Sequence, residues 1–148
     1  GVMGAAARGA KRGGGRVIGV VPQFLQVDGI LFDGCDETVY TENMRERKQI
    51  MEERSDAFIV APGGIGTYEE FFEIYTLKQL GRHAKPIVLF NTAGYYDGLL
   101  SMLRHTVEQH FMKPASLALI RVANTPDEVL TQIGLREDAA DIRSTKFV

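Results

Sequence analysis

The sequence predicts a doubly wound α/β domain, and three observations predict it. Short apolar runs at 17–21, 57–61, 87–90 and 117–122 recur along the chain without in–out alternation, as strands buried on both faces require. Segments of helical periodicity separate these runs, which is the pattern of a parallel sheet covered by helices on both faces. The run that ends at Ala61 opens directly into Pro62-Gly63-Gly64-Ile65-Gly66-Thr67, and ligands of such sheets bind outside the carboxyl ends of the strands. The expected architecture is a single Rossmann-like domain over residues 1–148, with a charged tail at 135–148.

The elements follow in order. Val2-Met3-Gly4-Ala5-Ala6-Ala7 favours a helix up to Arg12, and Gly13-Gly14-Gly15 stops it. A strand over 16–21 ends at Pro22. Residues 23–34 hold no sustained period and read as a loop with one short helical turn. The β-prone run Glu37-Thr38-Val39-Tyr40-Thr41 precedes Asn43, a good N-cap for a helix from Met44 to Arg54 on which Met44, Lys48 and Met51 share a face. After the strand at 57–61 and the glycine turn, a helix is expected over 67–80, closed by Gly81. A strand at 85–90, a helix at 96–111 and a strand at 117–122 come next. Thr125-Pro126-Asp127-Glu128 starts a short helix with a threonine cap, proline in the first turn and acids beside it. The tail from Leu135 carries no clear pattern and is compatible with a docked helix or a frayed end.

The chain has 148 residues, 45% of them hydrophobic, enough for one core and too few for two ordinary domains. A net charge of −2 offers no general field for nucleic acid, and no apolar run approaches the roughly 20 residues that cross a bilayer. A single cysteine, Cys35, allows no internal disulfide and suits a reducing, cytoplasmic compartment.

Several chemistries fall away on motif grounds. Gly64-Ile65-Gly66 begins like a dinucleotide fingerprint, but Glu69 stands where the third glycine belongs. No P-loop, G-x-S-x-G or H-E-x-x-H run is present. His83, His105 and His110 read as structural or solvated, so no metal site and no cofactor are expected. No lysine sits in a pyridoxal phosphate context.

One constellation remains. Gly63, Gly64 and Gly66 let backbone N–H groups approach an anion, and the positive end of the following helix favours a phosphoryl group. Glu70 is expected on the first turn of that helix, while Glu69 points about 100° away. Upstream, Arg47 offers a planar fork for a phosphate or carboxylate and Lys48 a mobile charge. By the same βαβ logic, the start of their helix belongs at a carboxyl edge too, so both segments are expected to face one crevice. Thr67-x-x-Glu70 also has the form of a capping box, which would need no chemistry. Arg8, Lys11, Arg12 and Arg16 read as cations offsetting a helix dipole.

Met44-x-x-Arg47-Lys48 followed by Pro62-Gly63-Gly64-x-Gly66-Thr67-x-x-Glu70 resembles the LONELY GUY family, the cytokinin riboside 5'-monophosphate phosphoribohydrolases, often labelled lysine decarboxylase-like. The resemblance extends to Gln79-Leu80-Gly81 with His83, Lys85 and Pro86, and backward to Gly1-Val2-Met3-Gly4, similar to the family's G-L-M-G segment. It implies hydrolysis of the N-glycosidic bond of a nucleoside 5'-monophosphate to free base and ribose 5-phosphate. It implies Arg47 and Glu70 as catalytic residues, and Gly63, Gly64, Gly66, Thr67, Lys48 and Met44 as substrate-binding ones. A homodimer or larger assembly, with active sites at subunit interfaces, comes with it. The same loop occurs in molybdenum-cofactor carriers and nucleotide-sensing relatives, so a noncatalytic nucleotide-binding module is the alternative. Two departures stand out. Leu77 replaces a tryptophan common in relatives, and the strand–helix–strand that precedes G-L-M-G in relatives has no counterpart, so the chain is expected to be N-terminally incomplete relative to the family.

Overall fold

A computed structural model describes residues 1–26, 33–134 and 145–147, the last three as backbone only. It contains two compact units, residues 1–54 and 55–148.

In the first unit, α1 (Val2–Arg12) ends at Gly13, and Gly14 takes the left-handed conformation that an L side chain resists (φ 78°). Strands β1 (Ile18–Pro22) and β2 (Glu37–Thr41) pair in parallel, with Val20 opposite Val39. Helix α2 (Met44–Arg54) follows β2 and packs against both strands. Its start is capped as expected: Asn43 Oδ1 accepts from Glu46 N–H at 2.9 Å, and Glu46 reaches back to Glu42 N–H at 2.6 Å. Residues 23–25 form the anticipated short helical turn, of 3₁₀ type. The rest of that expected loop, at 27–32, lies outside the described residues.

The basic cluster has acidic partners. Lys11 meets Asp36 at 2.6 Å, and Glu37 binds both Arg16 and Arg54 at 2.8 Å. Asp36 also accepts from Val17 N–H at 2.7 Å. The Lys11 and Val17 hydrogen bonds hold the Asp36 carboxyl below its usual range, and Arg54 does the same for Glu37.

The second unit carries four parallel strands in the order β5-β4-β3-β6: β3 (Ala57–Val60), β4 (Ile87–Phe90), β5 (Ile120–Ala123) and β6 (Thr145–Phe147). Helix α3 (Ile65–Gln79) joins β3 to β4; α4 (Asp97–Glu108) and the single turn α5 (Pro114–Leu117) join β4 to β5; α6 (Pro126–Gln132) follows β5. Winding runs from β3 to β5 and then returns across the sheet to β6. Crossovers of one hand must therefore put the helices of the two directions on opposite faces. The cores agree. Phe58, Val60, Ile87, Leu89 and Ile120 pack with Phe71, Ile74 and Tyr75 of α3 and with Leu99 and Leu103 of α4. Ala57, Ile59, Val88 and Ala123 pack instead with Val129 and Ile133 at α6. Alternate residues of one strand thus serve two cores, which is why the runs are continuously apolar.

Besides small shifts at the ends of β1, β3 and β4, four boundaries differ from expectation. Helix α3 begins at Ile65 rather than 67, because Gly64 is its N-cap. Helix α4 covers Asp97–Glu108, short of Phe111, and the chain turns at His110 with a positive φ of 63°. Leu117 ends α5, a turn opened by Pro114 and too short to show a helical period, so the last expected strand shifts to Ile120–Ala123. The tail contributes a strand, Thr145–Phe147, beside β3, where a helix or a frayed end had been expected.

His83 is structural, as its sequence context suggested. Its Nδ1 accepts from Lys85 N–H at 3.1 Å, so its Nε2 carries the proton and donates to Ile74 C=O at 2.8 Å. Lys78 donates to Lys85 C=O at 2.9 Å, and Gly81 turns the chain with φ 72°. The segment from Lys78 to Lys85 therefore locks α3 to the start of β4.

Two predictions follow from this packing. His83→Ala leaves one buried-side donor and one acceptor unmatched, and chemical denaturation should show a loss of about 1–3 kcal/mol. Asp36 and Glu37, whose carboxyls are depressed in the fold, contribute stability above their unfolded pKa near 4 and lose it as pH falls through the folded values. Hydrogen-exchange protection in the first unit, corrected for the intrinsic rate at each pH, should fall below about pH 4, and Asp36→Asn with Glu37→Gln should flatten that dependence.

Candidate functional site

Strand β3 is buried on both faces and stops at Val60. Ala61 and Pro62 lead from its carboxyl end into the glycine turn. Gly63 is required by packing: a Cβ there would overlap Thr67 Oγ1 and lie 2.9 Å from Thr67 Cβ. Gly64 and Gly66 are different. Both are exposed, and a Cβ on either would meet nothing within 4 Å. Packing therefore does not require glycine at either position, and the missing side chains leave the backbone open to close approach.

The first bond of the α3 ladder runs from Tyr68 N–H to Gly64 C=O at 3.1 Å, so the N–H groups of Ile65, Gly66 and Thr67 precede the ladder. They point out of the positive end of a 15-residue helix. With Gly64 at the N-cap, Thr67 is the third helical residue and Glu70 the sixth, and no side chain caps this helix. The capping-box reading of Thr67-x-x-Glu70 therefore fails, and Glu70 sits in the second turn rather than the first. The same pattern at 125–128 does cap. Thr125 Oγ1 accepts from Glu128 N–H, and Glu128 accepts from Asn124 N–H at 2.6 Å.

Glu70 is buried, with 9% of its surface exposed, whereas Glu69 is exposed as expected. One helical turn separates Glu70 from Gly66 and Thr67, which places the three along one side of α3. The turn thus presents N–H groups outside the helix ladder, one helical turn from a buried glutamate.

The loop after β4 supplies residues that sequence reasoning missed. Tyr95 Oη donates to Gly63 C=O at 2.5 Å, and Tyr96 Oη donates to Ala61 C=O at 2.6 Å. Buried Asn91 holds this loop, accepting from Tyr96 N–H at 2.6 Å and donating to Asp97 at 2.8 Å. Tyr68 meets Tyr96 edge to face, with ring centroids 6.2 Å apart. Burial raises the Tyr96 phenol far above its ordinary pKa, with Tyr68 and Tyr95 adding to the shift. Desolvation raises that of Tyr68 as well, helped by a hydrogen bond with Tyr95. Both stay protonated at neutral pH. Their signal was available: Asn91, Tyr95 and Tyr96 directly follow the apolar run 87–90, at the carboxyl end of the strand next to β3.

In the first unit, Met44, Arg47 and Lys48 occupy the first turns of α2. Arg47 Nε donates to Val20 C=O at 3.0 Å, which ties the guanidinium to β1. Arg47 and Lys48 are partly buried, and Met44 is 37% exposed rather than a core residue. The structure therefore gathers Gly63, Gly64, Gly66, Thr67 and Glu70 in one unit, and Met44, Arg47 and Lys48 in the other.

Comparison with known proteins gives the family. Residues 3–133 match the family described as "Possible lysine decarboxylase". The chain belongs to this family. It is 43% identical over 126 residues to the cytokinin riboside 5'-monophosphate phosphoribohydrolase of Mycobacterium tuberculosis, covering 84% of this chain and 67% of that protein. A "probable cytokinin riboside 5'-monophosphate phosphoribohydrolase" of Oryza sativa subsp. japonica is 41% identical over 133 residues, 90% of this chain and 53% of its own length. The enzyme of that name from Rhodococcoides fascians is 40% identical over 134 residues, 90% of this chain and 68% of its own length. The chain thus spans between about half and two thirds of these relatives. The LONELY GUY resemblance of the motifs is the family relationship that these matches show. No helix among the described residues is long and apolar enough to cross a membrane.

Gly63 and Gly66 should separate on substitution. Gly63→Ala is expected to lower stability by about 1–3 kcal/mol through overpacking against Thr67. Gly66→Ala should leave the melting temperature unchanged or slightly raised, because the position is helical and open. Thermal denaturation of the two variants distinguishes the glycine that packing requires from one that it does not.

Proposed function

We propose that the chain hydrolyses the N-glycosidic bond of a nucleoside 5'-monophosphate, AMP or a cytokinin riboside monophosphate, to free base and ribose 5-phosphate. The observation that carries this reading is the buried carboxylate of Glu70 one turn below an open helix N-terminus, beside two glycines that folding does not require. The names of the relatives support the same chemistry.

The 5'-phosphate would dock on the N–H groups of Gly64, Ile65, Gly66 and Thr67, where the helix dipole and the donors act together. That anchoring is remote from the scissile bond and places the anomeric carbon near Glu70. Breaking the C1'–N bond leaves the electron pair on the base and positive charge on the ribose, in an oxocarbenium-like transition state. Glu70 stabilises that charge or takes a proton from the water that adds to C1', and the base gains a proton as it leaves. Arg47, Lys48 and Met44 of the family motif are assigned to the substrate's phosphate, ribose or base, with Arg47 acting on the reacting groups. A homodimer or larger assembly and a cytoplasmic location belong to the same proposal.

Base release from AMP, GMP, CMP and isopentenyl-AMP, followed by chromatography, tests the reading and ranks the bases. Glu70→Gln should lower kcat at least about 10²-fold while AMP affinity is largely kept. A folded protein that binds AMP and releases no base from any of the four would instead be a noncatalytic carrier.

A further inference from the structure

We infer that Tyr95 is a positioning residue for the anion-binding turn, acting through its hydroxyl on Gly63 C=O. The inference rests on the phosphate-docking part of the reading above. A trans peptide points its C=O and N–H in opposite directions, so whatever holds Gly63 C=O also aims the N–H of Gly64. Tyr95 Oη holds that carbonyl at 2.5 Å from the loop after the neighbouring strand. Its effect is therefore to turn Gly64 N–H away from the tyrosine and to keep it from rotating into the turn.

The neighbouring peptide shows why this one matters. Tyr96 Oη holds Ala61 C=O in the same manner, but the nitrogen of that peptide belongs to Pro62 and carries no proton. Clamping it anchors the turn without aiming a donor. The N–H groups of Ile65, Gly66 and Thr67 are already oriented by the helix. Gly64 is the donor of the set that precedes the helix, and it is flanked by glycine, so its direction depends on an outside contact. Tyr96 is fully buried and belongs to the core, whereas Tyr95 is 47% exposed; its hydroxyl also hydrogen-bonds Tyr68, so Tyr68→Phe, which removes that contact and leaves Gly63 C=O held, is the control for Tyr95→Phe.

Calorimetric titration of the full chain with ribose 5-phosphate and with inorganic phosphate, beside adenosine as a ligand without phosphate, tests the inference in Tyr95→Phe and Tyr95→Ala. Losing one oriented donor should weaken ribose 5-phosphate and phosphate binding about 3- to 10-fold in both variants, the value of one hydrogen bond. Adenosine affinity should stay at the wild-type value in Tyr95→Phe, and Tyr68→Phe should keep wild-type affinity for ribose 5-phosphate. With AMP as substrate, KM should rise by the same factor at constant kcat, as for loss of uniform binding. The inference is overturned if Tyr95→Phe binds ribose 5-phosphate like wild type while Tyr95→Ala does not, since the ring and not the hydroxyl would then act. Equal losses for adenosine and ribose 5-phosphate, or no phosphate binding by the wild type, also overturn it. Binding that responds as expected in a protein that releases no base would refute hydrolysis and leave the inference standing.

Discussion

The second unit depends on the burial of β3 from both sides. Ala57, Phe58, Ile59 and Val60 are each at most 3% exposed, and alternate residues enter opposite cores. A strand held by two cores and by β4 and β6 on its edges cannot shift register without moving apolar side chains to the wrong face. Its carboxyl end is consequently a fixed point. The glycine turn starts two residues later, and its geometry inherits that rigidity before any hydrogen bond of its own is counted.

From this point the turn is defined by contacts of three kinds. Thr67 fills the space over Gly63, the α3 ladder orients the N–H groups at its start, and two tyrosine hydroxyls hold the carbonyls at Ala61 and Gly63. Every one of these contacts is supplied from β3, α3 or the loop after β4, so adjacent strands of a parallel sheet build the site together. The side chains seen to hold the turn, Thr67, Tyr95 and Tyr96, are uncharged. The donors that the turn presents are backbone N–H groups at a helix N-terminus, and Glu70 is buried one helical turn further along α3.

The first unit works by different means. No residue of α1 is buried, and the long-range contacts that tie its end and β2 together are ionic, through Asp36 and Glu37. Exposed pairs of this kind contribute modestly and are screened by salt. Helix α2 differs in that its start carries a side-chain cap, from Asn43 to Glu46 N–H, and Arg47 in the next position reaches Val20 C=O. The family motif at 44–48 is thus carried on a helix whose start is defined by Asn43 and Glu46.

The sequence by itself determined the fold class, the order of the first five strands and the identity of the glycine turn, because continuous apolar runs and glycine clusters are local signals. It also identified the capped starts of α2 and α6, since a cap is set by residues three apart. Tertiary structure alone decided between the two Thr-x-x-Glu segments. At 125 the threonine caps, with proline after it; at 67 a glycine three residues earlier takes the cap, which moves Glu70 into the second turn and the interior. Only the fold brought Asn91, Tyr95 and Tyr96 to the glycine turn, because sheet pairing joins segments about thirty residues apart and no local pattern encodes that distance. The strand at Thr145–Phe147 belongs with them, for its place beside β3 follows from an edge that the rest of the sheet leaves open to pairing.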